Sequence, residues 1–294
     1  MKLKKWLDTL LQKEEVNFVL TNRVPRMLVT RWMGRISKIR NPYLARFLIA
    51  VWKMFSDLDL SEARHTSFKS LHDCFVRELK AGARVVDLRP DILCSPSDGI
   101  VMASGRIAGQ TLIQAKGLDY TLGDLLGAET PPNAWEGGCY VTLRLTASMY
   151  HRFHAPHDLQ VDAVTHIHGD TWNVNPVALK RVERLYCRNE RVVLHTRAQA
   201  GATPVLIVAV AAILVAGVRL HCLPRVLNAG YRGPVRIPCR HAARKGEELG
   251  WFEHGSTIIL LAPKCHQTVP DIGPGHPVRM GQALMQAAPG GTPA

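Results

Sequence analysis

The sequence predicts an α+β protein in which a compact, mainly β domain follows a run of basic amphipathic helices. Three observations carry that expectation. The first sixty or so residues interleave Lys and Arg with Leu, Ile, Phe, Trp and Met at helical spacing. Beyond Gly82 the texture changes to short Val- and Ile-rich stretches punctuated by Gly, Pro, Asn and Asp, the pattern of several short strands joined by turns. Across 294 residues, apolar side chains make up 47% and charged ones 21%, a balance that lets the chain bury a core.

The elements follow in order. Leu28 to Ile36 and Tyr43 to Phe55 repeat apolar residues with a helical period, with Arg31, Arg35, Lys38, Arg40 and Arg46 in and around them. They predict basic amphipathic helices that can lie in the interface of an anionic bilayer or pack on the following domain. This N-terminal region occupies 1–62, and a single larger domain occupies 63–294. Phe68, Leu71, Phe75 and Leu79 predict one more helix, from about Ser67 to Lys80. Strands are predicted over 100–103, 111–115, 139–145, 159–166, 191–196, 205–218, 235–237 and 257–261. The longest apolar run, Pro204 to Val218, falls short of the roughly 20 residues that cross a bilayer. Being rich in β-branched Val and Ile, it predicts buried strands.

A formal net charge of +13, from 37 Lys and Arg against 24 Asp and Glu, creates a surface potential that attracts polyanions. The sequence has no zinc-finger spacing, no basic-aromatic RNP pattern and no basic region running into heptads, so an anionic membrane surface is expected and nucleic acid is not. Seven cysteines, without a C-x-x-C pair and odd in number, fit a reducing compartment. Lys2, Lys4 and Lys5 are followed by further charges rather than a signal-type apolar core, so no secretion signal is expected.

Three clusters could do chemistry. Ser95-Pro96-Ser97-Asp98-Gly99 places Asp98 in a turn leading into a strand, and alone it reads as ordinary turn chemistry. Tyr150-His151-Arg152-Phe153-His154-Ala155-Pro156-His157-Asp158 carries three histidines at spacing three. That spacing is compatible with a metal site, with acid–base catalysis or with a surface loop. Phe252-Glu253-His254-Gly255-Ser256-Thr257 puts a Gly-Ser bond at a strand entrance, where a turn is the usual explanation. Together they supply the Asp, His and Ser that base-activated attack by a hydroxyl requires.

These clusters belong to a longer series of blocks: FVRELKAGARVVD (75–87), SPSDGIV (95–101), QAKGLDYTLGDLL (114–126), YHRFHAP (150–156), GDTWNVNP (169–176), RNERVV (188–193), KGEELGWFEHGST (245–257) and MGQAL (280–284). In this order they resemble the pyruvoyl-dependent phosphatidylserine decarboxylase proenzymes of the prokaryotic type, from about Phe68 to Leu284. The resemblance implies that the 63–294 domain cuts itself between Gly255 and Ser256. The products would be a β chain (1–255) and an α chain (256–294) that stay associated. It implies that Ser256 attacks the Gly255 carbonyl, with His154 as base and Asp98 orienting it, and that Ser256 ends as an N-terminal pyruvoyl cofactor. That ketone would form a Schiff base with phosphatidylserine and take up the electrons left by departing CO2, and His151 would return a proton to the substrate carbon to give phosphatidylethanolamine. Lys116, Asn173 and Asn175 lie in family-like blocks and are candidate headgroup contacts. With the histidines assigned to protons no metal is implied, and His157 keeps no assigned role. The expected setting is peripheral, on the cytoplasmic side of the cell membrane, with a homodimer as a compatible assembly.

Two departures from the family pattern stand out. His254 occupies the position before Gly-Ser where family members usually have Leu, and VAVAAILVAGVRL (208–220) replaces a more glycine-rich pattern. Rival readings are a same-mechanism decarboxylase of another serine-bearing lipid, a catalytically silent membrane-binding relative, and a serine hydrolase. The missing G-x-S-x-G elbow speaks against the last.

Overall fold

The computed structural model describes residues 13–115, 118–128, 135–198, 203–214, 217–253 and 257–289. The basic start, Lys2 to Lys5, lies outside these residues. Three helices come first: α1 (Glu14–Asn22), α2 (Arg26–Ile36) and α3 (Pro42–Phe55), the last two close to their predicted bounds. At the start of α3 the Asn41 side chain accepts the amides of Tyr43 and Leu44, and Pro42 presets the first helical turn. Ala45 and Ile49 turn inward, Ile49 joining Leu58 and Cys74 in a small apolar cluster. Leu28, Trp32, Ile36, Tyr43, Phe47 and Met54 remain exposed, as do Arg31, Arg35, Lys38 and Arg46.

The helix predicted over Ser67 to Lys80 is reduced to α4 (Leu71–Phe75), capped by Ser70. Beyond it the Lys80 amide donates to the Glu62 carbonyl and the Arg64 amide to the Glu78 carbonyl, with Ala63 bridging Leu79. Pairing between 62–64 and 78–80 overrides the local helical pattern, because propensity differences of under about 1 kcal/mol per residue yield to tertiary contacts.

The remaining elements are β1 (Ile92–Cys94), β2 (Gly99–Arg106), β3 (Thr111–Ala115), β4 (Leu118–Thr121), α5 (Leu122–Leu126), β5 (Cys139–Arg144), β6 (Arg152–His154), β7 (Leu159–Ile167), α6 (Pro176–Leu179), α7 (Leu185–Arg188), β8 (Arg191–Ala198), β9 (Pro204–Val210), β10 (Val218–Leu220), β11 (Arg236–Ala243), β12 (Glu248–Phe252), β13 (Thr257–Ala262), β14 (His266–Thr268), β15 (Pro277–Val278) and β16 (Ala283–Ala287). Eight of them form one antiparallel sheet in the order β11-β7-β8-β9-β13-β5-β2-β15. Two three-stranded sheets, β10-β12-β6 and β1-β16-β14, and the β3-β4 pair complete the framework.

Both faces of the large sheet are covered. Ile258 and Leu260 of β13 pack with Leu143, Phe153, Ile207 and Phe252 on one side. Ile259 and Leu261 pack with Tyr140, Val208, Leu125 and Leu185 on the other. A strand buried on both faces loses the usual apolar-polar alternation, which is why β9 and β13 read as continuous apolar runs. The run from Pro204 to Val218 is divided between β9 and the first residue of β10. No helix among the described residues is long and apolar enough to cross a membrane.

Candidate active site

Asp98 sits in the turn that delivers the chain into β2, where its carboxylate accepts from Arg84 Nε at 2.8 Å and from the Met280 amide at 2.9 Å. Arg84 also reaches Glu62, at 2.8 Å, so the carboxylate is pinned within a buried network. The turn is tightened by Ser95, whose hydroxyl donates to the Ser97 carbonyl.

His151 immediately precedes the short strand β6 and His154 is its last residue, and both are buried. The His154 amide donates to the Pro96 carbonyl, tying the histidine cluster to the Asp98 turn. On its ring, Nδ1 lies 2.9 Å from the Gly246 carbonyl and Nε2 lies 2.9 Å from the Tyr150 hydroxyl. A carbonyl can only accept, so Nδ1 carries the proton and Nε2 is the basic nitrogen. Burial holds the Tyr150 phenol well above its ordinary range, so that its O–H remains the donor to Nε2. Burial also lowers the His154 pKa from its ordinary 6.5, favouring the neutral imidazole. The group that fixes the tautomer is thus the Gly246 carbonyl, whereas the sequence suggested Asp98. Gly246 adopts φ +82°, and a Cβ there would come within 2.7 Å of Val86, so the turn that aims this carbonyl requires glycine.

The His151 ring is fully buried and stacks on Phe75 of α4, with centroids 3.9 Å apart and planes 21° from parallel. Its carbonyl accepts the Phe252 amide, which joins it to the end of β12. The next residue, Glu253, is held by Lys38 and by His72 Nε2 at 3.1 Å. Burial pushes its carboxyl up, but the His72 and Lys38 contacts prevail and leave it at about 2. Glu253 thereby ties β12 to the segment after α2 and to α4.

His254, Gly255 and Ser256 lie outside the described residues, as does Lys116. Thr257, immediately after Ser256 in sequence, is the first residue of β13 and pairs with Arg144 on β5 and Val210 on β9. Beside this entrance is a cavity of about 520 Å³, lined by Met33, Leu48, Trp52, Phe75, Arg144 and Leu214 among others. Asn173 and Asn175 also line it, though their side chains already serve the fold. The Asn173 side-chain Oδ1 accepts the Asn175 backbone amide, and Asn175 caps α6 by accepting the Ala178 amide while its side-chain amide donates to Asn17. His157 is turned to the backbone, with Nε2 2.9 Å from the Pro90 carbonyl.

Several of these contributors escaped the sequence reading. Tyr150 and Gly246 stand inside motif blocks, but nothing local marks the one as a donor to His154 or the other as its acceptor. Arg84 and Arg144 look like ordinary cations until their surroundings are known.

Two buried imidazoles, one with a defined basic nitrogen and the other stacked on Phe75 at the wall of a largely apolar cavity, form a candidate site for an enzyme that moves protons. The family model for phosphatidylserine decarboxylase matches residues 71–286. The phosphatidylserine decarboxylase proenzyme of Stenotrophomonas maltophilia is 34% identical over 277 residues, covering 90% of this chain and 96% of the relative. Those of Xylella fastidiosa, 33% identical with 92% and 94% covered, and Brevibacillus brevis, 34% identical with 90% and 95% covered, are similar to the same extent. The chain belongs to the phosphatidylserine decarboxylase family and is a decarboxylase, a lyase.

Proposed function

We propose that this protein converts phosphatidylserine to phosphatidylethanolamine and CO2 with a pyruvoyl group that it makes from Ser256 by cutting its own chain after Gly255. The observation that carries the reading is His154, neutral and buried, with its basic nitrogen defined by the Gly246 carbonyl. An imidazole in that state can take the proton of a serine hydroxyl at neutral pH. Asp98 contributes negative charge nearby that favours the imidazolium formed during attack.

The residues present suit a ketone at position 256. They offer two buried imidazoles and an apolar cavity, and no described carboxylate other than the paired Glu253 stands within three residues of it. When formed, a pyruvoyl group supplies an electron sink for the pair left by departing CO2. His151, stacked on Phe75, is the proposed proton donor to the substrate carbon that lost CO2. The cavity between the N-terminal helices and the large sheet is the proposed lipid entrance. Exposed Trp32, Tyr43 and Phe47 beside exposed Arg31, Arg35 and Arg46 support peripheral docking on an anionic bilayer, the cytoplasmic side of the cell membrane being the proposed location.

Ser256→Ala tests the whole reading. Intact-mass analysis should find a single uncut chain with no CO2 release from phosphatidylserine, where the wild-type protein gives two fragments meeting at Gly255/Ser256. Wild-type-like CO2 release from the alanine variant would overturn the proposal.

A further inference from the structure

Arg144, half-buried, stands apart from the other buried and half-buried arginines. Arg77 and Arg191 donate to backbone carbonyls, Arg84 to Asp98 and Glu62, and Arg152 to Glu248. The Arg144 side chain has no hydrogen-bond or ion-pair partner among the described residues, and its Nε is sealed from solvent. Burial accordingly pushes its pKa down, with only the Tyr186 phenol opposing. Tyr186 is itself fully buried, and its hydroxyl also lacks a partner among the described residues. Arg144 is half-buried, so a guanidinium with one sealed nitrogen and no partner is unfavourable, and such a group persists where a ligand completes it.

Its position says which ligand. Arg144 pairs with Thr257, the residue after Ser256, and with Ile100, two residues after Asp98. It lines the cavity that also holds Phe75, the ring against which His151 stacks. Resting on the proposed decarboxylase reading, we infer that Arg144 binds the phosphodiester of the substrate lipid and so sets the distance between headgroup and reaction centre. The serine carboxylate is the other anion in the substrate, but it is the group that leaves. A guanidinium paired with it would stabilise the ground state as its charge is about to move away, which opposes decarboxylation. A phosphodiester keeps its charge from substrate to product, and a planar guanidinium matches its oxygens in pairs.

The test uses Arg144→Met and Arg144→Lys in the full-length, self-processed protein, with dihexanoyl phosphatidylserine as substrate and dihexanoyl phosphatidylethanolamine as competitive inhibitor. For Arg144→Met, KM and the inhibition constant should both rise about 10- to 100-fold, the range of a lost charge-assisted hydrogen bond, with kcat little changed. Arg144→Lys should fall between it and the wild type. The Tm of Arg144→Met should equal or exceed that of the wild type, because the methionine removes an unpaired, half-buried charge. Unchanged KM and inhibition constants in processed protein overturn the inference. So does a rise in substrate KM alone, which would assign Arg144 to the carboxylate, or a fall in Tm with binding intact, which would make it structural. If the wild type itself neither processes nor releases CO2, the functional reading fails first, whatever Arg144 does.

Discussion

At the scale of single residues, the chemistry depends on how His154 is held. Its pKa lies below the ordinary 6.5 because burial disfavours the imidazolium. The neutral base therefore survives to lower pH than a free imidazole would allow. Self-cleavage of freshly made proenzyme is expected to keep its rate as the pH falls through 6.5 and to decline only below it. Time courses on denaturing gels over about pH 5 to 8 would show this. A rate already halved at 6.5 or above would count against His154 as the base. The same depression has a stability consequence: below 6.5 the unfolded imidazole takes up a proton that the folded one resists, so the fold weakens on that side. Glu253 follows the carboxylate rule. Its contribution is complete above the ordinary 4.5 and is lost as the pH falls toward its folded value of about 2. That the Asp98 turn and the His151-His154 segment are candidates was legible in the sequence because their residue types and motif neighbours are distinctive. Gly246 was not, since a backbone carbonyl 92 residues from His154 leaves no local trace.

At the scale of elements, β13 is the strand on which the proposed two-chain product would depend. It lies between β9 and β5, all six of its residues are buried, and it is paired along both edges. The proposed cut between Gly255 and Ser256 precedes β13 and leaves those hydrogen bonds and apolar contacts in place. The two fragments are expected to elute together in native size-exclusion chromatography and to separate only in denaturant. Leu260→Ala, which empties a fully buried site at a cost of roughly 2 to 5 kcal/mol, should lower the denaturant concentration needed to part them. Co-elution that depends on neither fold nor Leu260 would refute this role. The long strands were readable as apolar runs, whereas β6, β14 and β15, of two or three residues each, are too short for any period to register. The helix predicted over Ser67 to Lys80 fails for the opposite reason, since a clear local pattern gives way to a distant partner strand.

At the scale of the whole molecule, a formal charge of +13 and the exposed apolar side chains of α2 and α3 act together. Sedimentation with phosphatidylserine-containing vesicles should show binding that weakens as salt rises beyond about 0.15 M, where charges more than about 8 Å apart are screened. Phe47→Glu, at a side chain that is 64% exposed, should reduce vesicle binding severalfold while leaving Tm within about 2 °C of wild type. Equal binding to neutral and anionic vesicles, unaffected by salt or by Phe47→Glu, would remove the N-terminal helices from the membrane contact.

By itself the sequence determined the α+β class, helices α2 and α3, the central apolar strands and the family to which the chain belongs, because local period, residue type and motif order are written along the chain. Only the tertiary structure decided that the Gly246 carbonyl sets the His154 tautomer, that 62–64 pairs with 78–80, and that Arg144 is half-buried without a partner among the described residues. The physical reason is that hydrogen bonding and desolvation belong to a residue's surroundings in space, and packing assembles those surroundings from segments that are remote in sequence.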